Sequence, residues 1–141
     1  HDSGIPPVYA SERQLSTAVY SVIHNAIKAI SGHGQVRIEL RHDSGETERE
    51  KQVRIQISDT GCGIPSDRFE SIFEFGTSYW PDGKGTGYGL WRARGIFQSF
   101  RGSVCVAEST PGEGSTFIIV LPTSYAYVDT AEVSQLEDGN G

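Results

Sequence analysis

Apolar residues recur at helical spacing along the first part of the chain. Leu15, Val19, Val22, Ile23, Ala26, Ile27 and Ile30 fall three or four positions apart, which predicts an amphipathic helix over about residues 12–31. Ser11 suits the N-cap, with Gln14 at the capping-box position, and the run "SGHG" at 31–34 stops the helix. The period then changes to two. Val36, Ile38 and Leu40 alternate with Arg37, Glu39 and Arg41, and Val53, Ile55 and Ile57 alternate with polar residues in the same way. Two half-buried strands follow, at 35–42 and 52–58, antiparallel neighbours joined by the charged connection "DSGETEREKQ". Residues 66–73 read as a short helix-like turn, and 74–88 have no periodicity and read as a mobile loop. A second helix is expected at about 88–100, with Leu90, Ala93, Ile96 and Phe97 inward. "SVCVAES" and "STFIIVLP" flank a Pro-Gly turn at 111–112 and predict a second hairpin. Residues 5–10 read as a short extended segment, and 123–141 as an acidic polar tail or linker after a domain spanning 1–122. The order helix, two strands, loop, helix, two strands predicts an α/β two-layer sandwich, a mixed, mostly antiparallel sheet with helices on one face.

Composition narrows the function classes. The 141 residues suit one domain with its own core, with 36% hydrophobic and 21% charged residues. A net charge of −6 argues against a nucleic-acid-binding surface, which needs clustered Lys and Arg. It leaves room for a phosphate ligand, because backbone amides alone can build such a pocket. No apolar run approaches the roughly 20 residues of a membrane span, and no signal peptide is visible, so a cytoplasmic location without direct membrane contact is expected. Cys62 and Cys105 form no CxxC pair and no zinc spacing, and read as free thiols of a reducing compartment. The chain begins with His1 and contains no Met, so it reads as a monomeric piece of a longer protein.

Three clusters carry candidate chemistry. On a helical wheel, Ser21, Asn25 and Lys28 fall within roughly 60° of arc beside the apolar stripe, while His24 lies about 100° from Asn25 on the outer side. An amide oxygen in this strip suits Mg²⁺, and an ammonium suits phosphate. The second cluster is "ISDTGCGIP" at 57–65, in which glycines follow a strand but a carboxylate, Asp59, stands at their mouth. A carboxylate repels phosphate, so Asp59 must hold something else. The third is "GKGTGYGL", Gly83–Leu90, a G-x-G-x-G-x-G run that feeds amides into a helix N-terminus. It is neither the P-loop nor the Rossmann fingerprint. Taken singly, the strip reads as a solvated helix edge and the glycine run as a flexible loop.

In order along one chain these clusters resemble the GHKL, or Bergerat-fold, ATP-binding superfamily. That superfamily joins sensor histidine kinases, type II topoisomerases, mismatch-repair ATPases and the large heat-shock chaperones. "VIHNAIKAI" looks like its asparagine box, and "DTGCGIP" like its first glycine box. "RFESIFEFG" looks like its phenylalanine box and "GKGTGYGLW" like its second glycine box. "GEGSTFIIVLP" resembles the closing strand of histidine kinase catalytic domains, and the likeness covers about residues 8–122.

The resemblance implies a role for each residue. Asp59 accepts a hydrogen bond from the adenine exocyclic amine, Gly61 and Gly63 let backbone approach the flat base, and Ile64 packs on it. Ser115 or Thr116 holds an ordered water beside Asp59. Asn25 binds Mg²⁺, Lys28 lies near the phosphates, and the amides of Gly85, Gly87 and Gly89 surround the phosphate tail, with Thr86, Tyr88 and Leu90 among the contacts. Residues 74–88 become the ATP lid, anchored at Phe73 or Phe75, with Lys84 reaching the γ-phosphate. The hydrolysing branches carry a Glu four residues before the metal-binding Asn; this chain has Ser21 there, a poor general base at neutral pH. The expectation is therefore the catalytic domain of a two-component sensor histidine kinase, with Asn25 and Lys28 as its catalytic residues. It takes ATP and Mg²⁺, a phosphoacceptor histidine on a separate domain, and a response regulator downstream. His24 is not that acceptor, because it faces away from the pocket. Two rivals stand beside this expectation: a serine kinase of the anti-sigma-factor type, and a non-catalytic module that senses nucleotide.

Overall fold

The computed structural model describes residues 12–43, 51–76 and 88–123. Helix α1 spans Glu12–Ala29 and α2 spans Gly89–Ser99. Strands β1 (Val36–Asp43), β2 (Gln52–Asp59), β3 (Ser103–Thr110) and β4 (Gly114–Pro122) form one sheet in the order β1-β2-β4-β3, every neighbouring pair antiparallel. Two short 3₁₀ turns, Ser66–Arg68 and Ser71–Phe73, follow β2. The expected α/β sandwich is present, with a sheet that is antiparallel throughout. Ser11, the connection at 44–50, most of the expected lid and the residues after 123 lie outside the described residues.

Period-two burial is strict in the two central strands. Val53, Ile55 and Ile57 of β2 pair in register with Leu121, Ile119 and Phe117 of β4, and all six are buried on one face. Both helices cover that face. They meet it through Ala18, Val22 and Ala26 of α1 and through Ala93 and Phe97 of α2, so small side chains bring the helix backbones close. Leu90 and Ile96 are half-buried against the same core, as their spacing predicts.

The edge strand departs from expectation. Ile38 and Leu40 point to the core face beside Ile57 and Ile55, yet remain 46% and 49% exposed. Helix α1 lies over β2 and leaves β1 overhanging. Ile27, counted with the apolar stripe of α1, is also exposed. It sits about 140° around the helix from the line through Ala18, Val22 and Ala26. Apolar character at these positions therefore does not report burial.

Helix α2 ends with Arg101 in the left-handed region (φ 62°), where its N–H bonds the Gln98 carbonyl and the Gly102 N–H bonds the Phe97 carbonyl. This stop turns the chain into β3. Thr123, expected to open the tail, is buried, and its N–H donates to the Lys51 carbonyl.

Phe97 is fully buried between α2 and the sheet. Phe97→Ala is expected to cost about 3–5 kcal/mol, read as a lower denaturation midpoint with an unchanged slope.

Candidate functional site

Asp59 ends β2 on the buried face and is only 6% exposed. One carboxylate oxygen, Oδ1, accepts the Gly61 N–H at 2.8 Å. The other, Oδ2, is buried and has no hydrogen-bond partner among the described residues. Burial raises the Asp59 pKa above its ordinary value, and the Gly61 and Ser115 amides act against that rise. A buried acceptor without a donor is costly, so Oδ2 has the character of a site that a ligand's donor completes. This fits the amino group that the resemblance assigns to Asp59.

The loop after Asp59 is fixed to three other elements. Thr60 N–H bonds the Gln35 carbonyl, and its Oγ1 accepts the Gln35 N–H. Cys62 N–H bonds the Ala29 carbonyl at the end of α1, and the Cys62 carbonyl accepts the Gly112 N–H from the β3–β4 turn. Ile64 N–H bonds Ser109 Oγ at 2.6 Å. The two glycines are required by this packing. A Cβ at Gly61 would lie 2.5 Å from Ala29, and one at Gly63, where φ is +76°, would lie 2.3 Å from the Thr110 carbonyl oxygen. Close approach of backbone to backbone is thus one requirement for glycine at both positions. Cys62 itself is exposed, and Ile64 belongs to the core cluster.

The α1 strip forms as predicted. Ser21, Asn25 and Lys28 are half-buried on one side of the helix, while His24 is exposed and stacks on Tyr20 at 5.5 Å. Among the described residues, the Asn25 side chain makes no hydrogen bond, so its amide oxygen is unspent. Ser21 donates its hydroxyl proton to the Thr17 carbonyl at 3.0 Å, which commits it to the helix backbone. The described residues hold no group of three His, Cys, Asp or Glu able to bind a metal. The Asn25 amide oxygen, joined by oxygens of a bound ligand, is a donor set that would suit Mg²⁺.

Other expected site residues separate. Phe73 is a core residue, 2% exposed, edge-on to Phe117 and covered by the Arg94 guanidinium at 4.4 Å. Phe75 is exposed and packs against Tyr88 and Trp91 with ring centroids 4.9 and 4.8 Å away, which brings the chain before and after the glycine run together. Ser115 lies opposite Asp59 on the buried face. Thr116 lies on the other face, where its hydroxyl meets Ser58 at 3.2 Å, which removes it from the side of Asp59. At the N-terminus of α2 the Tyr88 side chain makes no capping hydrogen bond, and Leu90 turns toward the core. Lys84, Gly85, Thr86 and Gly87 lie outside the described residues. Two contributors escaped the sequence reading: the Arg94–Glu70 ion pair at 3.0 Å, and Ser109.

Comparison with known proteins agrees with the fold and the family resemblance. A family model described as "Histidine kinase-, DNA gyrase B-, and HSP90-like ATPase" matches residues 10–125. The chain is 34% identical over 120 residues to the adaptive-response sensory kinase SasA of Crocosphaera subtropica, covering 84% of this chain and 30% of SasA. It is 33% identical over 121 residues to the signal transduction histidine-protein kinase AtoS of Escherichia coli, covering 86% of this chain and 19% of AtoS. The chain thus spans less than a third of these relatives. Among solved structures, the mycobacterial sensor histidine kinase MprB superposes with a TM-score of 0.66 at 28% identity, covering 80% of this chain and 72% of that one. Full-length ShkA in complex with AMPPNP superposes equally well at 26% identity, covering 85% of this chain and 24% of that one.

Two variants test the site without any ligand. Because the Asp59 pKa is raised, folding favours its protonated form, and the associated stability is lost as pH rises through the folded pKa. Asp59→Asn is expected to melt at an equal or higher temperature than wild type at pH 7, an advantage that shrinks as pH falls toward 4 in thermal scans. Gly63→Ala is expected to lose roughly 2–5 kcal/mol in denaturant titration, from left-handed strain plus the clash with Thr110.

Proposed function

Because the chain belongs to the family of histidine kinase-, DNA gyrase B- and HSP90-like ATPases, we propose that it is the ATP-binding catalytic domain of a sensor histidine kinase. In this reading it binds Mg-ATP and delivers the γ-phosphoryl group to a histidine on a separate phosphoacceptor domain, with a response regulator downstream. The observation that carries it is Asp59 Oδ2, a buried acceptor with no partner among the described residues, at the position where the family holds adenine. The named relatives are sensory kinases, and ShkA was solved with the adenine nucleotide analogue AMPPNP.

The chemistry assigned to each residue follows from its type and placement. Asp59 accepts from the adenine amine through Oδ2, held in aim by the Gly61 N–H on Oδ1. Asn25 offers its amide oxygen to Mg²⁺, and Lys28, one turn further on, serves the phosphates. The amides of Gly85, Gly87 and Gly89 receive phosphate oxygens, Gly89 at the start of α2, where the helix dipole favours negative charge. When bound, Mg²⁺ neutralises phosphate charge as the phosphoryl group leaves. Ser21, bonded to Thr17, does not activate water, so the residues position and neutralise rather than hydrolyse. In this reading the domain takes up residues 1–122, closed by the buried Thr123, and the remaining residues serve as an acidic polar tail or linker.

The test is calorimetric titration with AMPPNP, with and without Mg²⁺, beside Asp59→Asn. Saturable, Mg²⁺-dependent binding is expected, weakened about 100-fold or more in the variant. Folded wild-type protein that binds no nucleotide overturns the reading. Incubating the longer parent protein with γ-labelled ATP then identifies the acceptor. Acid-labile label on histidine is expected; acid-stable label on serine points to a serine kinase, and binding without transfer points to a nucleotide sensor.

A further inference from the structure

Strand β3 carries one residue too many for its pairing with β4. Val106 pairs with Phe117, but the next pairs are Glu108 with Thr116 and Ser109 with Ser115, leaving Ala107 as the extra residue of a β-bulge. The bulge reverses the side-chain alternation. Without it, Glu108 would stand opposite Ser115, on the buried face and in one row with Asp59, where two carboxylates would repel each other. With it, Ser109 takes that place. Asp59, Ser115 and Ser109 therefore form a polar row across β2, β4 and β3, one step beyond the apolar row Ile57, Phe117 and Val106. Bulges commonly re-aim a side chain beside an active site.

The hydrogen bonds of Ser109 Oγ have a single consistent polarity. Its three neighbours are the Ile64 N–H at 2.6 Å, the Gly114 carbonyl at 3.0 Å and Ser115 Oγ at 2.7 Å. The amide can only donate and the carbonyl can only accept, and Ser109 has one proton to give. All three contacts are satisfied only when Ser109 donates to Gly114 and Ser115 donates to Ser109. The Ser115 proton is thereby committed to Ser109, and Asp59 Oδ2 separately has no hydrogen-bond partner among the described residues. What remains on Ser115 for a ligand or its water is lone pairs.

We infer that Ser109 is a positioning residue that fixes Ser115 as an acceptor, so that Asp59 and Ser115 together select a purine bearing a 6-amino group over one bearing a 6-oxo group. The inference rests on the ATP reading above and deepens it. Two acceptors in one row are matched by an amine and mismatched by a carbonyl oxygen. A serine free to rotate would donate to either purine and discriminate less.

The test compares Mg²⁺-dependent binding of ATP and inosine triphosphate, which carries a 6-oxo group in place of the amine. Wild type is expected to prefer ATP. Ser109→Ala, which frees the Ser115 proton, is expected to shrink that preference about tenfold, and Ser109→Thr to retain it. If Ser109→Ala does not fold, Ser109→Cys, similar in shape but a weak acceptor, is expected to show the same loss. Equal weakening for both nucleotides, with the preference unchanged, overturns the inference and leaves the ATP reading standing. Wild-type protein that binds neither nucleotide overturns both.

Discussion

Five consecutive residues, Thr60 to Ile64, hold the working end of this molecule together. Their backbone and one hydroxyl reach Gln35 before β1, Ala29 at the end of α1, Gly112 in the β3–β4 turn and Ser109 on β3. Two glycines make such crowding possible, since a side-chain carbon at either would overlap the backbone of α1 or of β3. The same loop supplies the Gly61 N–H that orients Asp59. The aim of the carboxylate and the seating of α1 thus follow from one set of hydrogen bonds, and a disturbance at any of them reaches the others.

Asp59 is the place where this packing departs from what stability alone would select. Its Oδ2 is buried without a donor, and burial pushes its pKa upward. The surrounding core is otherwise conventional, with matched rows of Val, Ile, Leu and Phe across β2 and β4. A polar group left incomplete inside a well-packed scaffold is the usual mark of a functional site, because the ligand contributes the missing partner. Ser21 shows the converse. Its hydroxyl is satisfied by the helix itself, and it brings no new chemistry to the strip it shares with Asn25 and Lys28.

The edges of the fold also bear on function. Phe75, Tyr88 and Trp91 draw together the two ends of the chain that flank the glycine run, while Arg94 binds Glu70 and lies over Phe73. These contacts fasten α2 to the turns that follow β2. The phenylalanine box is thus divided between a core ring and a surface ring, two roles that adjacent aromatic positions in sequence do not distinguish.

Periodicity and turn signals by themselves determined the two helices, the two hairpins and the sandwich, and the order of the motifs marked Asn25, Lys28 and Asp59 as candidates. Those signals are local: a helix stripe and a strand alternation are written within a dozen residues. Tertiary structure decided what depends on neighbours distant in sequence. The overhang of Ile38 and Leu40 follows from where α1 lies, and the burial of Phe73 from its contact with Phe117. The choice of Ser115 over Thr116 needs the register between β2 and β4. Ser109 was the least legible of all, because alternation along "SVCVAEST" directs it outward, and only the extra residue in its pairing with β4 turns it toward Asp59. A bulge is a property of two strands together, and neither strand carries it alone.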